Sequence, residues 1–234
     1  EKALLQDLDY ENGYSLYVGI PFCPSICLYC SFGSHPLERW TKRVDEYLDT
    51  LCKELTFIRE QMGARKLTTV YIGGGTPTTL EPEQLRRLLS HIQETFDFTW
   101  VKEYTVEAGR PDSITREKLQ VMKEFPVTRI SVNPQTMNQK TLDVIGRKHT
   151  VEDTVNIFHM ARELEFDNIN MDLIIGLPGE GKEEVAHTLQ EVEKLHPDSL
   201  TIHSLALKRA TRLNLFKDKY EEMSFENSKE IMEM

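Results

Sequence analysis

Apolar residues along this chain keep two rhythms in alternation. β-Branched and aromatic runs at residues 14–20, 68–72, 103–108, 128–132, 168–175 and 199–207 read as strands, and between them apolar positions recur every three or four residues, as on a helix with one buried face. The first such stretch predicts a long helix over residues 37–61 with Trp40, Val44, Tyr47, Leu48, Leu51, Leu55 and Ile58 turned inward. A second helix has Pro82 near its first turn, where the missing N–H has no partner to lose, and carries Leu85, Leu88, Leu89 and Ile92 on one face. Shorter helices follow from about Ser113, with Leu119 and Met122 inward, and through Leu142 and Ile145. Thr150-Val151-Glu152-Asp153 has the form of a capping box, so a helix presenting Val151, Val155, Phe158 and Ala161 starts there. Another helix, through Val185, Leu189 and Val192, ends at His196-Pro197.

Strands that alternate with helices of this length imply βαβ units and a parallel sheet. The strand at residues 168–175 is nearly continuous in apolar content after Asp172, as expected where both faces are covered. Six units fall short of the eight that close a full barrel, so the expected fold is α/β, an open, partial (β/α)6 TIM-type barrel. A doubly wound sheet is the alternative. The barrel is preferred because polar and glycine residues stand at the C-terminal ends of successive strands, where a barrel gathers them at one mouth. The expected division is a polar N-terminal extension at 1–13, a core at 14–210, and a C-terminal helix at 211–234 that stops without a cap and reads as the start of a truncated region.

Composition narrows this further. A chain of 234 residues suffices for one domain with a large core, and its net charge of -10 argues against nucleic acid or an anionic membrane as a general partner. No window approaches the roughly 18 apolar residues of a membrane span, and no basic-then-apolar leader opens the sequence, so a cytoplasmic location is expected. Cys52 falls on the first long helix and reads as a small helix-face residue.

The other three cysteines, Cys23, Cys27 and Cys30, lie at spacings of four and three residues just beyond the first strand. Thiols so grouped on a strand-to-helix loop form a ligand set. A cubane iron–sulfur cluster held by three thiolates keeps one iron open. Zinc with His35 as fourth ligand, or a dithiol pair at Cys27 and Cys30, are the competing readings. The second strand stops in Gly73-Gly74-Gly75-Thr76, where backbone can approach a ligand closely. Glu107 and Asp172 are carboxylates in apolar strands, and each implies a partner, either a ligand hydroxyl or a cation such as Arg147. Gly176-Leu177-Pro178-Gly179-Glu180-Gly181-Lys182-Glu183 fits the spacing of a phosphate-binding loop. Glu183 replaces the hydroxyl that would hold magnesium and Glu180 puts a negative charge in the cradle, so it reads as a turn.

The cysteine triplet, with Tyr29 immediately before its last member, resembles the signature of radical S-adenosylmethionine (SAM) enzymes. Together with Tyr17-Val18-Gly19-Ile20-Pro21-Phe22, Tyr71-Ile72-Gly73-Gly74-Gly75-Thr76-Pro77, Arg129-Ile130-Ser131-Val132, Gly146-Arg147-Lys148-His149 and Asp172-Leu173-Ile174-Ile175-Gly176-Leu177-Pro178-Gly179, it resembles the oxygen-independent coproporphyrinogen III oxidases and their relatives, the heme chaperones. Asn133-Pro134-Gln135 points to a coproporphyrinogen dehydrogenase-like branch, since the better-known oxidases have glycine-valine-glutamine there. The resemblance implies that Cys23, Cys27 and Cys30 hold a [4Fe-4S] cluster and that Tyr17, Gly74, Gly75, Thr76 and Glu107 contact SAM. Tyr29, Gln135, Arg147, Asp172 and Ala206 match positions lining the adenosyl, methionyl and second-SAM region. The implied reaction converts propionates of coproporphyrinogen III to vinyl groups in heme biosynthesis, with an electron donor such as flavodoxin or ferredoxin. Lys208, Arg209 and Arg212 are expected to anchor the tetrapyrrole carboxylates. Two departures keep a heme chaperone on the same scaffold as the alternative, with heme as its tetrapyrrole: Phe32 stands where the oxidases carry another cysteine, and Gly146-Arg147-Lys148-His149 is nearer the chaperone pattern.

Overall fold

The computed structural model describes residues 11–32, 35–206, 208–209, 211–215 and 231. Its main sheet has six strands, all parallel: β1 (Gly13–Ile20), β4 (Lys66–Gly74), β5 (Glu103–Gly109), β6 (Arg129–Val132), β7 (Ile169–Ile175) and β8 (Ser199–Ser204). Two short strands, β2 (Phe22–Cys23) and β3 (His35–Pro36), pair with each other beside the end of β1. The large strands lie side by side in chain order with no reversal. A doubly wound sheet needs a reversal point, so the curled half-barrel is the fold and the alternative is excluded.

Helices on the outer face return each strand to the same end. They are α1 (Leu37–Trp40), α2 (Val44–Met62), α3 (Pro82–Thr95), α4 (Arg116–Lys123), α5 (Gln139–Val144), α6 (Val151–Glu163), α7 (Lys182–Leu195) and the short α8 (Arg212–Leu215). The apolar period did its work in α3, where Leu85, Leu88, Leu89 and Ile92 are all fully buried against the sheet. At about 2 kcal/mol for each such side chain, that stripe is a main source of the helix's attachment. The capping box at the start of α6 forms as expected, with Thr150 Oγ1 accepting from the Asp153 amide at 3.0 Å and Asp153 Oδ2 accepting from the Thr150 amide at 2.7 Å. Exposed ion pairs between neighbouring helices, such as Arg86 with Glu124 at 2.8 Å, add little beside this burial.

The expected helix at residues 37–61 is interrupted. A 3-10 turn at Thr41–Arg43 separates α1 from α2; Trp40, the last residue of α1, still packs against the core, and its ring meets that of His35 at a tilt with centroids 5.0 Å apart. Val44, Leu48, Leu51 and Leu55 keep their inward positions. The last strand ends at Ser204 rather than 207, and Leu207 lies outside the described residues. Most of the expected extension at 1–13 and of the expected helix at 211–234 also lies outside them. Among the described residues no helix is long and apolar enough to cross a membrane.

Candidate active site

The cysteine loop is fastened at both ends by backbone. The Gly75 amide donates to the Ile20 carbonyl at 2.6 Å and the Thr76 amide to the Phe22 carbonyl at 2.8 Å, so the end of β4 fixes where the loop departs. Leu28, between the second and third cysteines, is buried with Leu142, Ile145, Ile174, Leu177 and Leu213. Its amide donates to the Ile145 carbonyl and its carbonyl accepts from the Leu213 amide, both at 2.9 Å. This apolar plug turns the thiols of Cys23, Cys27 and Cys30 toward the mouth of the half-barrel, and none of them is in a disulfide. His35, the proposed fourth zinc ligand, instead faces Trp40 in a separate outer groove. Among the described residues no three His, Cys, Asp or Glu side chains converge as a single metal ion would require.

Glycines bring strand backbone up to this loop. A Cβ on Gly75 would lie 2.6 Å from the Phe22 carbonyl oxygen and 3.1 Å from Cys23 Sγ, and one on Gly73 would lie 2.6 Å from Glu107 Oε2. Only a residue without a side chain lets the edge of β4 meet both the thiol and the carboxylate. Burial raises the Glu107 carboxyl to about 7, and the negative charge of Asp172 adds to the rise. The Gly74 amide, the Arg147 charge and Asn133 Nδ2, 3.3 Å from Glu107 Oε1, limit it.

Arg147 is buried, with no carboxylate in hydrogen-bond contact among the described residues. Its Nη1 donates to the Asn133 carbonyl at 2.6 Å and its Nη2 to the Tyr29 hydroxyl at 3.1 Å. Of the two partners open to the carboxylates, the cation is not Arg147: Asp172 Oδ1 accepts from Asn170 Nδ2 at 2.6 Å and Glu107 Oε1 from Asn133 Nδ2 at 3.3 Å. Burial, with the nearby Cys27 and Cys30 adding to it, raises the Tyr29 hydroxyl far above its ordinary range, so it stays protonated. Gln135 has φ 69° and is held there by the Asp172 carbonyl accepting from its amide at 3.0 Å and by its carbonyl accepting from the Ile174 amide at 2.9 Å. A left-handed glutamine costs roughly 1–3 kcal/mol, and here the strain aims its side chain into the mouth.

One cavity of about 610 Å³ at the C-terminal ends of the strands is lined by every residue expected to hold the cluster or SAM: the three cysteines, Tyr17, Tyr29, Gly74, Gly75, Thr76, Glu107, Gln135, Arg147, Asp172 and Ala206. That volume is ordinary for a small-molecule site. Lys208 also lines it, whereas Arg209 and Arg212 do not. Among the lining residues assigned no role from the sequence are Tyr71, whose ring stacks on Tyr17 with centroids 5.9 Å apart, Asn133 and Arg110. Arg110 directly follows β5, so a lone cation at a strand end was the signal that could have found it. The phosphate-loop lookalike is a turn into α7, and its Glu180 is bonded to Thr136 Oγ1 at 2.5 Å and Asn138 Nδ2 at 3.1 Å, which fills the space a phosphate would need.

The wall suits an iron–sulfur cluster with a polar organic ligand. Thr76 Oγ1 donates to Cys23 Sγ at 3.4 Å and Arg110 Nη1 to Cys27 Sγ at 3.5 Å, the support that thiolates attract. Asn133 Oδ1, Gln135 Oε1 and Arg147 Nε are buried here without hydrogen-bond partners among the described residues. Two acceptors and a cationic donor left unmatched call for a ligand carrying both donor and anionic groups, as an amino acid joined to a nucleoside does.

Comparison with known proteins gives three findings. Residues 17–192 match the Radical SAM superfamily. The chain is 46% identical over 226 residues to an oxygen-independent coproporphyrinogen-III oxidase-like protein HemZ from Bacillus subtilis, covering 95% of this chain and 45% of that protein. It is 37% identical over 198 residues to the heme chaperone HemW of the same organism, covering 84% of this chain and 52% of that one. The chain thus spans about half the length of the curated relatives it matches. Among solved structures, coproporphyrinogen III oxidase (HemN) from Escherichia coli superposes with a TM-score of 0.83 at 29% identity, over 100% of this chain and 54% of that one.

Proposed function

The chain belongs to the radical SAM superfamily, and on that premise we propose that it forms the catalytic half-barrel of an oxygen-independent coproporphyrinogen III oxidase, acting on propionate side chains of the tetrapyrrole to leave vinyl groups. The observation that carries this reading is the single cavity in which three thiols, a glycine edge and an isolated carboxylate share one wall. Cys23, Cys27 and Cys30 would hold a [4Fe-4S] cluster, and Tyr17, Gly74, Gly75, Thr76 and Glu107 would contact SAM. When bound, these groups supply a hydrogen-abstracting oxidant that no side chain here provides.

The protein's own part is positioning. Glu107, once ionised, accepts hydrogen bonds from ribose hydroxyls. Arg147, with a free Nε in a buried setting, offsets negative charge in the cavity. Gln135 and Asn133 offer amide oxygens to ligand N–H groups. The apolar floor around Leu28 and Leu177 keeps water from the back of the loop. Lys208 at the rim is placed to receive a substrate carboxylate. A one-electron donor of the flavodoxin or ferredoxin class would recharge the cluster.

The second reading, a heme chaperone on the same scaffold, is favoured by one feature. Phe32, 73% exposed at the cavity rim, stands where the oxidases carry another cysteine. Anaerobic reconstitution, followed by chromatography of the tetrapyrrole products, separates the two. Vinyl formation from coproporphyrinogen III with SAM consumption supports the oxidase. Stoichiometric heme binding without SAM cleavage refutes it in favour of the chaperone.

A further inference from the structure

Arg110 has no place in the positions singled out from the sequence, yet it is among the most completely engaged side chains of the molecule. It is 3% exposed. Its Nε and Nη2 donate to the two oxygens of Asp112 at 2.9 and 2.7 Å, a two-pronged clamp. Its Nη1 reaches across to the cysteine loop and donates to the Ser25 carbonyl at 3.0 Å, to Ser25 Oγ at 2.9 Å and to Cys27 Sγ at 3.5 Å. Ser25 Oγ in turn donates to the Gly146 carbonyl at 3.2 Å, which ties the same point to the end of α5. Behind Asp112 stands the buried ring of His149, with Nδ1 4.0 Å from Asp112 Oδ1. Burial lowers that imidazole to about 4, so at neutral pH it packs against the carboxylate uncharged and leaves the Asp112 charge to Arg110.

A guanidinium held this rigidly is pre-organised: its planar fork is fixed by the carboxylate, so the remaining nitrogen points in one direction. Its N–H groups face the Ser25 carbonyl and Oγ at 3.0 and 2.9 Å, with the sulfur of Cys27 beside them at 3.5 Å. Hydrogen bonds to cluster sulfurs and nearby charge are among the factors that set the potential of an iron–sulfur centre. We propose that Arg110 is a positioning residue for the cluster, clamped by Asp112 and anchored on Ser25, and that through its bond to the Cys27 sulfur it raises the reduction potential of the iron–sulfur centre. This rests on the reading of Cys23, Cys27 and Cys30 as cluster ligands. On one-electron reduction the cluster gains negative charge, and a donor at its thiolate stabilises that state more than the oxidised one. Asp112 opposes this effect because its charge offsets that of Arg110. The two residues therefore pull the potential in opposite directions, whereas a simple structural staple would make both substitutions act alike.

The test uses the reconstituted protein, reduced stepwise with dithionite in the presence of redox dyes and read by the electron paramagnetic resonance signal of the reduced cluster. Arg110→Met is expected to lower the reduced-to-oxidised ratio at a fixed potential about tenfold, equivalent to ~59 mV for one electron. Asp112→Asn, which leaves Arg110 uncompensated, is expected to raise it by a similar factor. Wild-type protein that binds no cluster would overturn the cofactor reading itself, a result distinct from any outcome with the variants. If the wild type loads and both variants stay within twofold of it, or both move the same way, the proposal is wrong. Should Arg110→Met fail to fold or load, Asp112→Asn alone decides: a raised ratio supports the proposal and an unchanged or lowered one overturns it. Should neither load, Arg110→Lys, which keeps the charge but loses the planar fork, decides by the same titration: a ratio lowered at least twofold supports the proposal and an unchanged or raised one overturns it.

Discussion

Replacing Glu107 by glutamine should make the ligand-free protein more stable, and by an amount that depends on pH in a defined way. The carboxyl sits beside Gly73 in the wall of the cavity, and burial with the neighbouring Asp172 charge raises it from 4.5 to about 7. Between those limits the folded chain keeps a proton that the unfolded chain releases. The unfolded state then binds fewer protons, so the unfolding free energy falls as pH rises through this window. At ~1.4 kcal/mol per pH unit, the displacement costs the folded state about 3 kcal/mol once pH passes 7. Glu107→Gln keeps the shape and removes the charge. Urea denaturation of the reduced, ligand-free protein, followed by circular dichroism, should show the variant ahead of wild type by about 3 kcal/mol near pH 8, with the gap closing toward pH 4.5. Other titrating groups are common to both proteins and cancel in the difference. Asp172→Asn should shrink the gap, because it removes one source of the raised value. A gap that is constant across pH, or that widens toward acid, would refute the electrostatic account of this site.

Other substitutions probe the frame around the site. Gly75→Ala puts a Cβ 2.6 Å from the Phe22 carbonyl oxygen; it should cost about 1–3 kcal/mol in denaturation and reduce reconstituted iron content by displacing Cys23. Leu88→Ala opens a void in the fully buried stripe of α3 and should lower stability by ~2–5 kcal/mol without changing the oligomeric behaviour of the protein on a sizing column. Thr150→Ala removes the hydroxyl that caps α6 and should cost about 1 kcal/mol, read by the same urea series. Cys27→Ser should abolish iron binding measured after reconstitution, while Cys52→Ser, on α2 and outside the cavity wall, should leave it at the wild-type level.

Much of this protein was written in local order. The period of apolar positions placed α3 and its four buried residues, the Thr150 and Asp153 pair marked the start of α6, and the spacing of Cys23, Cys27 and Cys30 named a ligand set. Each of these depends on residues a few positions apart, whose interactions are fixed by backbone geometry before the chain closes. Tertiary structure decided what depends on distant segments meeting. The order of six strands without reversal settled half-barrel over doubly wound sheet. Arg147 met the Asn133 carbonyl and, across 118 positions of chain, the Tyr29 hydroxyl. Arg110 reaches Ser25 across 85 positions of chain, a contact no periodicity encodes. Its side chain acquires a role only when the end of one strand is brought, by the curl of the whole sheet, against the loop that follows another.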